Sequence, residues 1–346
     1  MPDFAIADPS ATLATGLQPS PWRLCVAPML DWTDRYCRGF HRLLSAHARL
    51  YTEMVTTGAL LHGDVARHLD FDPSEHPLAL QLGGSDPHEL ARCAKLGQSC
   101  GYDEINLNCG CPSERVQRGS FGVCLMAEPA LVADCVRAMR DAASIAVTIK
   151  HRIGIDRNED YGFVRDFVGV NFDAGCQVFI VHARNAWLRG LSPKENREVP
   201  PLRPSVVRML KRDFPLATIV HNGGVASIED GCSALDGVDG VMVGRLAYQQ
   251  PFALAGLERA LFGGGGGDVQ PRDYLAPATR YLEEAVARGT TPWSVIRHML
   301  GLFHGCAGAR AWRRSLSDPE FVTRHSAASL QAAAASMERA YSALEP

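Results

Sequence analysis

Residues 176–184 read CQVFIVHAR, an almost unbroken apolar run that stops at His182 and Arg184. A strand with one wet face alternates apolar and polar residues, whereas a near-continuous apolar run is buried on both faces, as in a parallel sheet covered by helices. Other runs share this form. Before it come RLCVAPM (23–29), RLYTEMV (49–55), PLALQLGG (77–84), EINLNCG (104–110) and AVTIKHRIG (146–154). After it come ATIVHNGG (217–224) and GVMVGR (240–245). Helical spacing fills the gaps. Asp86-Pro-His-Glu89 carries a helix-start signature, Glu128-Pro129 precedes ALVADCVRAMRDA, and segments 203–212 and 227–235 supply two more helices. Eight strands alternating with helices predict a closed (β/α)8 barrel, the TIM-barrel class of α/β fold. An open doubly wound sheet is the alternative, but no G-x-G-x-x-G follows the first strand.

The chain has 346 residues. A barrel takes roughly 250, so an appended part is expected. Residues 1–20, rich in Ala, Ser, Thr and Pro, read as a disordered leader, and 21–262 as the barrel. The glycine run 263–267 opens a hinge reaching to 270. Beyond it, TRYLEEAVARG and WSVIRHMLGLFHG place apolar residues at helical spacing, so 271–346 reads as a C-terminal helical domain. The apolar share of 46% suits a sizeable core, and a net charge of −3 supplies no global basic field for a polyanion. No apolar run is long enough to span a bilayer, and no basic segment precedes an apolar one at the N-terminus. The expected address is therefore the cytoplasm, with the eleven cysteines reduced.

In such a barrel, functional groups gather at the C-terminal ends of the strands. Here those ends carry Pro28 and Met29, Glu53, Gln81, Asn106 and Asn108, then Lys150 and Arg152. His182 and Arg184 follow, then Asn222-Gly223-Gly224 and Gly244-Arg245. Gly-Gly after a strand is often a simple turn. Paired with VGR on the next strand, it suits a phosphate, because small residues let backbone N–H groups approach the oxygens. Gln81 and Asn108 are amides fit for an imide edge or ring carbonyl. Lys150 is a cation beside an electron-rich ring or a Schiff-base nucleophile as in aldolases. With His182, these groups describe a flavin mononucleotide (FMN) pocket.

Within NLNCGCPSERV (106–116) two cysteines flank a glycine. A metal clip needs more ligands at short spacing, and a disulfide between residues two apart would be strained. Cys25, Cys93, Cys135, Cys176 and Cys232 are expected to be buried and inert, and Cys109, at the strand end, to pack. Cys111 lies past the strand in a Gly-Cys-Pro loop over the barrel mouth. There a thiol can protonate a substrate carbon opposite a hydride donor. Glu53 is expected either to orient this catalytic loop or to pair with a nearby Arg.

Taken together, these segments resemble the tRNA-dihydrouridine synthases, and most closely the bacterial branch acting on uridines 20 and 20a of the D-loop. The resemblance spans about residues 22–320, through APMLDWTDRYCR (27–38), LQLGG (80–84), NLNCGCPSERVQRGSFGVCLM (106–126), KHRIG (150–154), VHARNAWLRGLSPKENREVPPL (181–202), HNGGV (221–225) and VGRLAYQQP (243–251). It implies an NADPH-dependent FMN enzyme that saturates the C5–C6 bond of uridine in tRNA. The hydride passes from flavin N5 to C6, and Cys111 gives the proton to C5. Positions matching family flavin contacts are Pro28, Met29, Leu30, Gln81, Lys150, His182, Asn222, Gly223, Gly224, Gly244 and Arg245. Asn108 matches a substrate-contacting asparagine, offering donor and acceptor to the pyrimidine edge. Cys109 departs from the pattern, standing where a small apolar residue such as Val is expected.

Residues 184–214 hold eight Lys/Arg against three acids, and 288–314 hold five arginines and no acid. A charge run is commonly a solvated face. The resemblance instead assigns Lys194, Arg197, Arg310 and Arg313 to tRNA contact, with Trp312 either packing or stacking on a base. The expected partner is tRNA, with no metal, no membrane and a monomeric protein. Other readings stay open: an aldolase using Lys150, a dehydrogenase of free pyrimidines, and an RNA-binding barrel without catalysis.

Overall fold

The computed structural model describes residues 20–113, 119, 121–263 and 269–342. The expected leader, apart from residue 20, and most of the glycine hinge lie outside the described residues.

Among the described residues nine strands form: β1 (Leu24–Val26), β2 (Leu50–Tyr51), β3 (Val55–Thr56), β4 (Leu78–Gly83), β5 (Glu104–Cys109), β6 (Ala146–Arg152), β7 (Val178–His182), β8 (Thr218–Asn222) and β9 (Gly240–Val243). They pair in parallel in the order β1-β9-β8-β7-β6-β5-β4-β2, with β3 also on β4. Closure comes at Arg49, whose N–H donates to Leu24 O and whose carbonyl accepts from Val26 N–H, both at 2.9 Å. The fold is thus a (β/α)8 TIM barrel with helices outside it and a C-terminal helical region.

The run 49–55, expected as one strand, is two. Thr52 interrupts it. Its hydroxyl accepts the Gln81 N–H at 3.0 Å, replacing a ladder carbonyl, and donates to Glu53 O at 2.8 Å. The chain turns there, and Glu53 accepts the Asp31 N–H in the loop after β1. Glu53 therefore orients the loop after β1, and not the Cys111 loop expected of it.

Side chains alternate along each strand. On β5, Ile105, Leu107 and Cys109 join the layer between barrel and helices, while Glu104, Asn106 and Asn108 face the interior. Apolar residues such as Ile180, Val220 and Met242 fill the rest of that interior.

The C-terminal helices span Leu275–Ala287, Pro292–Ile296, Ala309–Leu316, Pro319–His325 and Ser329–Ser342. Trp312 is buried among them, its indole N–H donating to Met299 O at 3.1 Å, so it packs. This region docks on the barrel through Tyr36 OH, 3.1 Å from Thr290 Oγ1, and through Arg297. That guanidinium pairs with Asp34 and donates to Asp31 O at 2.9 Å.

Candidate active site

A cavity of about 810 Å³ opens at the C-terminal ends of the strands, within the usual range for small-molecule sites. The loop after β1 contributes Pro28, Met29 and Leu30 to its wall, and β4, β6 and β7 contribute Gln81, Lys150 and His182. The turns after β8 and β9 add Asn222, Gly223, Gly224, Gly244 and Arg245. Asn108, Cys111 and Arg197 line it too. Lys194 is exposed outside this wall. Arg310 and Arg313 line a separate hollow of about 510 Å³ in the C-terminal region, together with Arg314.

The loop after β5 is pinned from two sides. Asn108 Oδ1 accepts the N–H groups of Gly110 and Cys111, each at 3.0 Å, and Cys111 O accepts from Val123 N–H at 3.1 Å. The half-buried Cys111 Sγ lies 3.5 Å from Ser113 Oγ. Cys109, two residues earlier at the end of β5, is fully buried in the layer against the helices, where burial pushes its thiol well above the usual range. Cys25, Cys93, Cys135 and Cys176 are buried as expected, but Cys232 is exposed. In its short helix Ile228–Ser233, Gly231 is the buried residue; a Cβ there would stand 2.5 Å from Leu257 Cδ2. Cys232, about 100° further round the helix, turns outward.

Lys150 Nζ donates to Asn222 Oδ1 at 2.9 Å, and Asn222 Nδ2 donates to Met242 O at 2.8 Å. Burial, then the neighbouring Arg152, brings the Lys150 ammonium down to about 7, with Cys111 opposing. His182 is held well below the ordinary imidazole value by burial, then by Arg152 and Lys150, so it is neutral near pH 7. Arg152 itself is occupied with backbone. Its Nε donates to Gly110 O at 3.0 Å, and its Nη1 to Asn185 O at 2.9 Å and Asn196 O at 2.8 Å.

The wall suits a flat, phosphorylated heteroaromatic ring. Gly223 and Gly224 have φ of +103° and +79°, and a Cβ would fall 2.6 Å from His182 Cδ2 at the first and 2.3 Å from Leu202 Cδ2 at the second. The bare backbone is therefore a cradle that any L side chain would fill. Neutral amides (Gln81, Asn108) and cations (Lys150, Arg197, Arg245) surround it, which fits the donor and charge needs of FMN. Arg245 also pairs with Glu198.

Part of the wall does not come from strand ends. Arg35, Arg38, Arg67 and His68 reach the rim from the helix after β1 and from the β3–β4 connection. The basic residues of VARHL (65–69) were the available signal. Some basic residues of the two charge runs are tied up within the protein. Lys211 pairs with Asp239 at 2.8 Å and donates to Ala217 O, at the end of the barrel opposite the cavity. Arg297 is engaged by Asp34. Among the described residues, no group of three or more His, Cys, Asp or Glu could hold a metal, and no helix is long and apolar enough to cross a membrane.

Comparison with known proteins agrees with this geometry. The family model described as dihydrouridine synthase (Dus) matches residues 25–338. The tRNA-dihydrouridine(20/20a) synthase of Shigella flexneri is 57% identical over 297 residues, covering 86% of this chain and 87% of that protein. Its namesake from Escherichia coli K12 is 57% identical, with 86% of each chain covered. The one from Vibrio parahaemolyticus is 55% identical, covering 86% of this chain and 91% of its own.

Proposed function

Because the chain belongs to the dihydrouridine synthase family, on the side of its bacterial 20/20a relatives, we propose that it reduces the C5–C6 bond of D-loop uridines in tRNA. FMN is the proposed resident cofactor and NADPH the reductant; bound FMN would supply the hydride that reaches C6. The observation that supports this most is the convergence of Cys111, Asn108, Gln81, Lys150 and His182 on one cavity whose glycine turn is bare.

The chain's own residues then have distinct tasks. Cys111 holds at Sγ the proton that C5 takes up. Lys150, with its ammonium brought to about 7, sits where negative charge on a reduced ring is stabilised electrostatically. Neutral His182 and Gln81 hydrogen-bond the ring without adding charge, and the turns of Gly223, Gly224, Gly244 and Arg245 receive the phosphate. Pro28, Met29, Leu30 and Asn222 complete its seat. A uracil inside the folded tRNA elbow is out of reach, so it is flipped into the mouth, where Asn108 meets it. The barrel (21–262) is the proposed catalytic domain. The helical domain (271–346), joined through a hinge at 263–270, holds the tRNA with Arg310 and Arg313, while Lys194 and Arg197 act from the loop after β7. The proposed site of action is the cytoplasm.

The test supplies purified protein, FMN and NADPH to tRNA lacking dihydrouridine and maps the product by mass. A gain of two mass units at positions 20 and 20a is expected. Cys111→Ala is expected to cut turnover about 100-fold or more while keeping bound flavin and tRNA affinity. No dihydrouridine at any position would overturn the function, and full activity of Cys111→Ala would overturn the proton assignment.

A further inference from the structure

A single file of hydrogen bonds runs up the barrel axis to Asn108. At its foot lies Glu104, fully buried, whose Oε2 accepts the Trp22 indole N–H at 2.7 Å and lies 3.4 Å from Arg49 Nη1. Its Oε1 accepts from Tyr51 OH at 2.9 Å and from the Thr148 hydroxyl. A carboxylate beside an arginine only accepts, so the Thr148 hydrogen is committed downward and its oxygen must accept from above. Asn106 therefore presents its NH2 group to Thr148, at 2.7 Å. Its Oδ1 then faces the Gln81 NH2 at 2.7 Å, and Gln81 Oε1 faces the Asn108 NH2 at 2.9 Å. At the top, Asn108 Oδ1 meets two backbone N–H groups, which can only donate. Exposure is 0% at Glu104, Thr148 and Asn106, 1% at Gln81 and 8% at Asn108, and of these only Gln81 and Asn108, at the upper end, line the cavity.

The file admits one polarity, because its foot only accepts and its top only donates. We propose that Thr148 and Glu104 are positioning residues that lock this polarity, so that Asn108 offers a ligand an N–H donor and no acceptor. The group read there is a pyrimidine carbonyl oxygen, and an exocyclic amine in its place meets a second donor. This replaces the donor-and-acceptor role expected of Asn108 from the sequence, since both faces of its Oδ1 are taken. The substrate side of the inference, uracil accepted and cytosine refused, rests on the proposed function; the amide orientations do not.

The experiment compares Thr148→Val, which keeps the shape and removes the link, with Thr148→Ser, which restores the hydroxyl. In the holoenzyme, Thr148→Val is expected to lower kcat/KM for uridine tRNA by about tenfold, roughly one hydrogen bond. It should also erode by a similar factor the preference for that tRNA over a competitor carrying cytidine at the target. Thr148→Ser should return both to near wild type, which a simple packing defect would not do. Independently of turnover, side-chain amide exchange by NMR should find one slow proton on each of Asn106, Gln81 and Asn108, with Thr148→Val speeding exchange at Asn106 and Gln81. An inactive wild type with these slow protons would overturn the function and leave the relay standing. Fast exchange at all three amides in the wild type, or an unchanged uridine preference in a folded Thr148→Val, would overturn the relay. If Thr148→Val does not fold, the wild-type exchange decides alone.

Discussion

At the scale of single residues, two positions near the mouth have properties that their neighbours impose. Lys150 is half charged near pH 7 because burial, and then Arg152, disfavour its ammonium. An anionic ligand favours the charged form, so binding takes up a proton. As pH rises above about 7 the charged fraction falls, and affinity for an anion beside Nζ falls with it, by up to about tenfold per unit. Calorimetry in buffers of different ionisation enthalpy checks the uptake, which should vanish in Lys150→Met. Gly223 makes a second case. Its φ of +103° and a Cβ position 2.6 Å from His182 leave no room for alanine. Gly223→Ala should weaken flavin retention about tenfold or more by displacing the His182 ring, read from the flavin-to-protein ratio after gel filtration. Cys109→Val, by contrast, swaps one buried group for another of similar size facing the helices, and should leave turnover within about twofold.

Among elements, the junction between the loop after β1 and the C-terminal helices matters most. Asp34 caps the helix Arg35–Leu44 by accepting the Cys37 N–H at 2.9 Å, and it also receives Arg297 and His298 from across the interface. Burial alone would raise its carboxyl, but His298, the Cys37 N–H and Arg297 outweigh it and hold the group below the usual range. The stability this gives is fully present above the ordinary value of about 3.9 and is lost as pH falls below it. Arg297→Ala should lower the midpoint of thermal unfolding by about 2–5 °C at neutral pH, with the difference from wild type shrinking in acid. Because Arg297 also holds Asp31 O, the same variant should loosen the loop carrying Met29 and raise the KM for tRNA more than it lowers kcat. The run 49–55 reads as one strand because Leu50, Tyr51, Thr52 and Val55 favour a buried strand and nothing in the run is a turn residue. Its break at Thr52 depends on a hydroxyl reaching the Gln81 amide, a partner 29 positions away.

Over the whole molecule, charge is arranged locally and the total reveals little. Arg310, Arg313 and Arg314 line one hollow in the C-terminal region, while Lys211 and Arg297 are tied into ion pairs elsewhere. If the helical domain holds RNA phosphates, Arg310→Ala with Arg313→Ala should weaken tRNA binding and reduce the slope of log affinity against log salt by about one to two. NADPH oxidation by the flavin-loaded protein without tRNA should be unchanged. An unaltered slope in a binding titration would remove these arginines from the RNA surface.

The barrel, its eight strand positions and the residues at their ends were legible in the chain, because burial of a strand on both faces and its polar ending are written in consecutive residues. The end of the apolar run even separates Cys109, inside the strand, from Cys111, in the loop beyond it. Other features needed the closed ring. The side-chain links of the axial file, from Gln81, Asn106, Asn108 and Thr148 down to Glu104, join residues 25 to 44 positions apart, and which end of each amide points upward depends on Glu104 below and two N–H groups above. Cys232 emerged, Trp312 sank and Arg297 found Asp34 only when helices packed together. Hydrogen-bond direction and ion pairing belong to neighbours in space, and the order of residues along the chain does not name them.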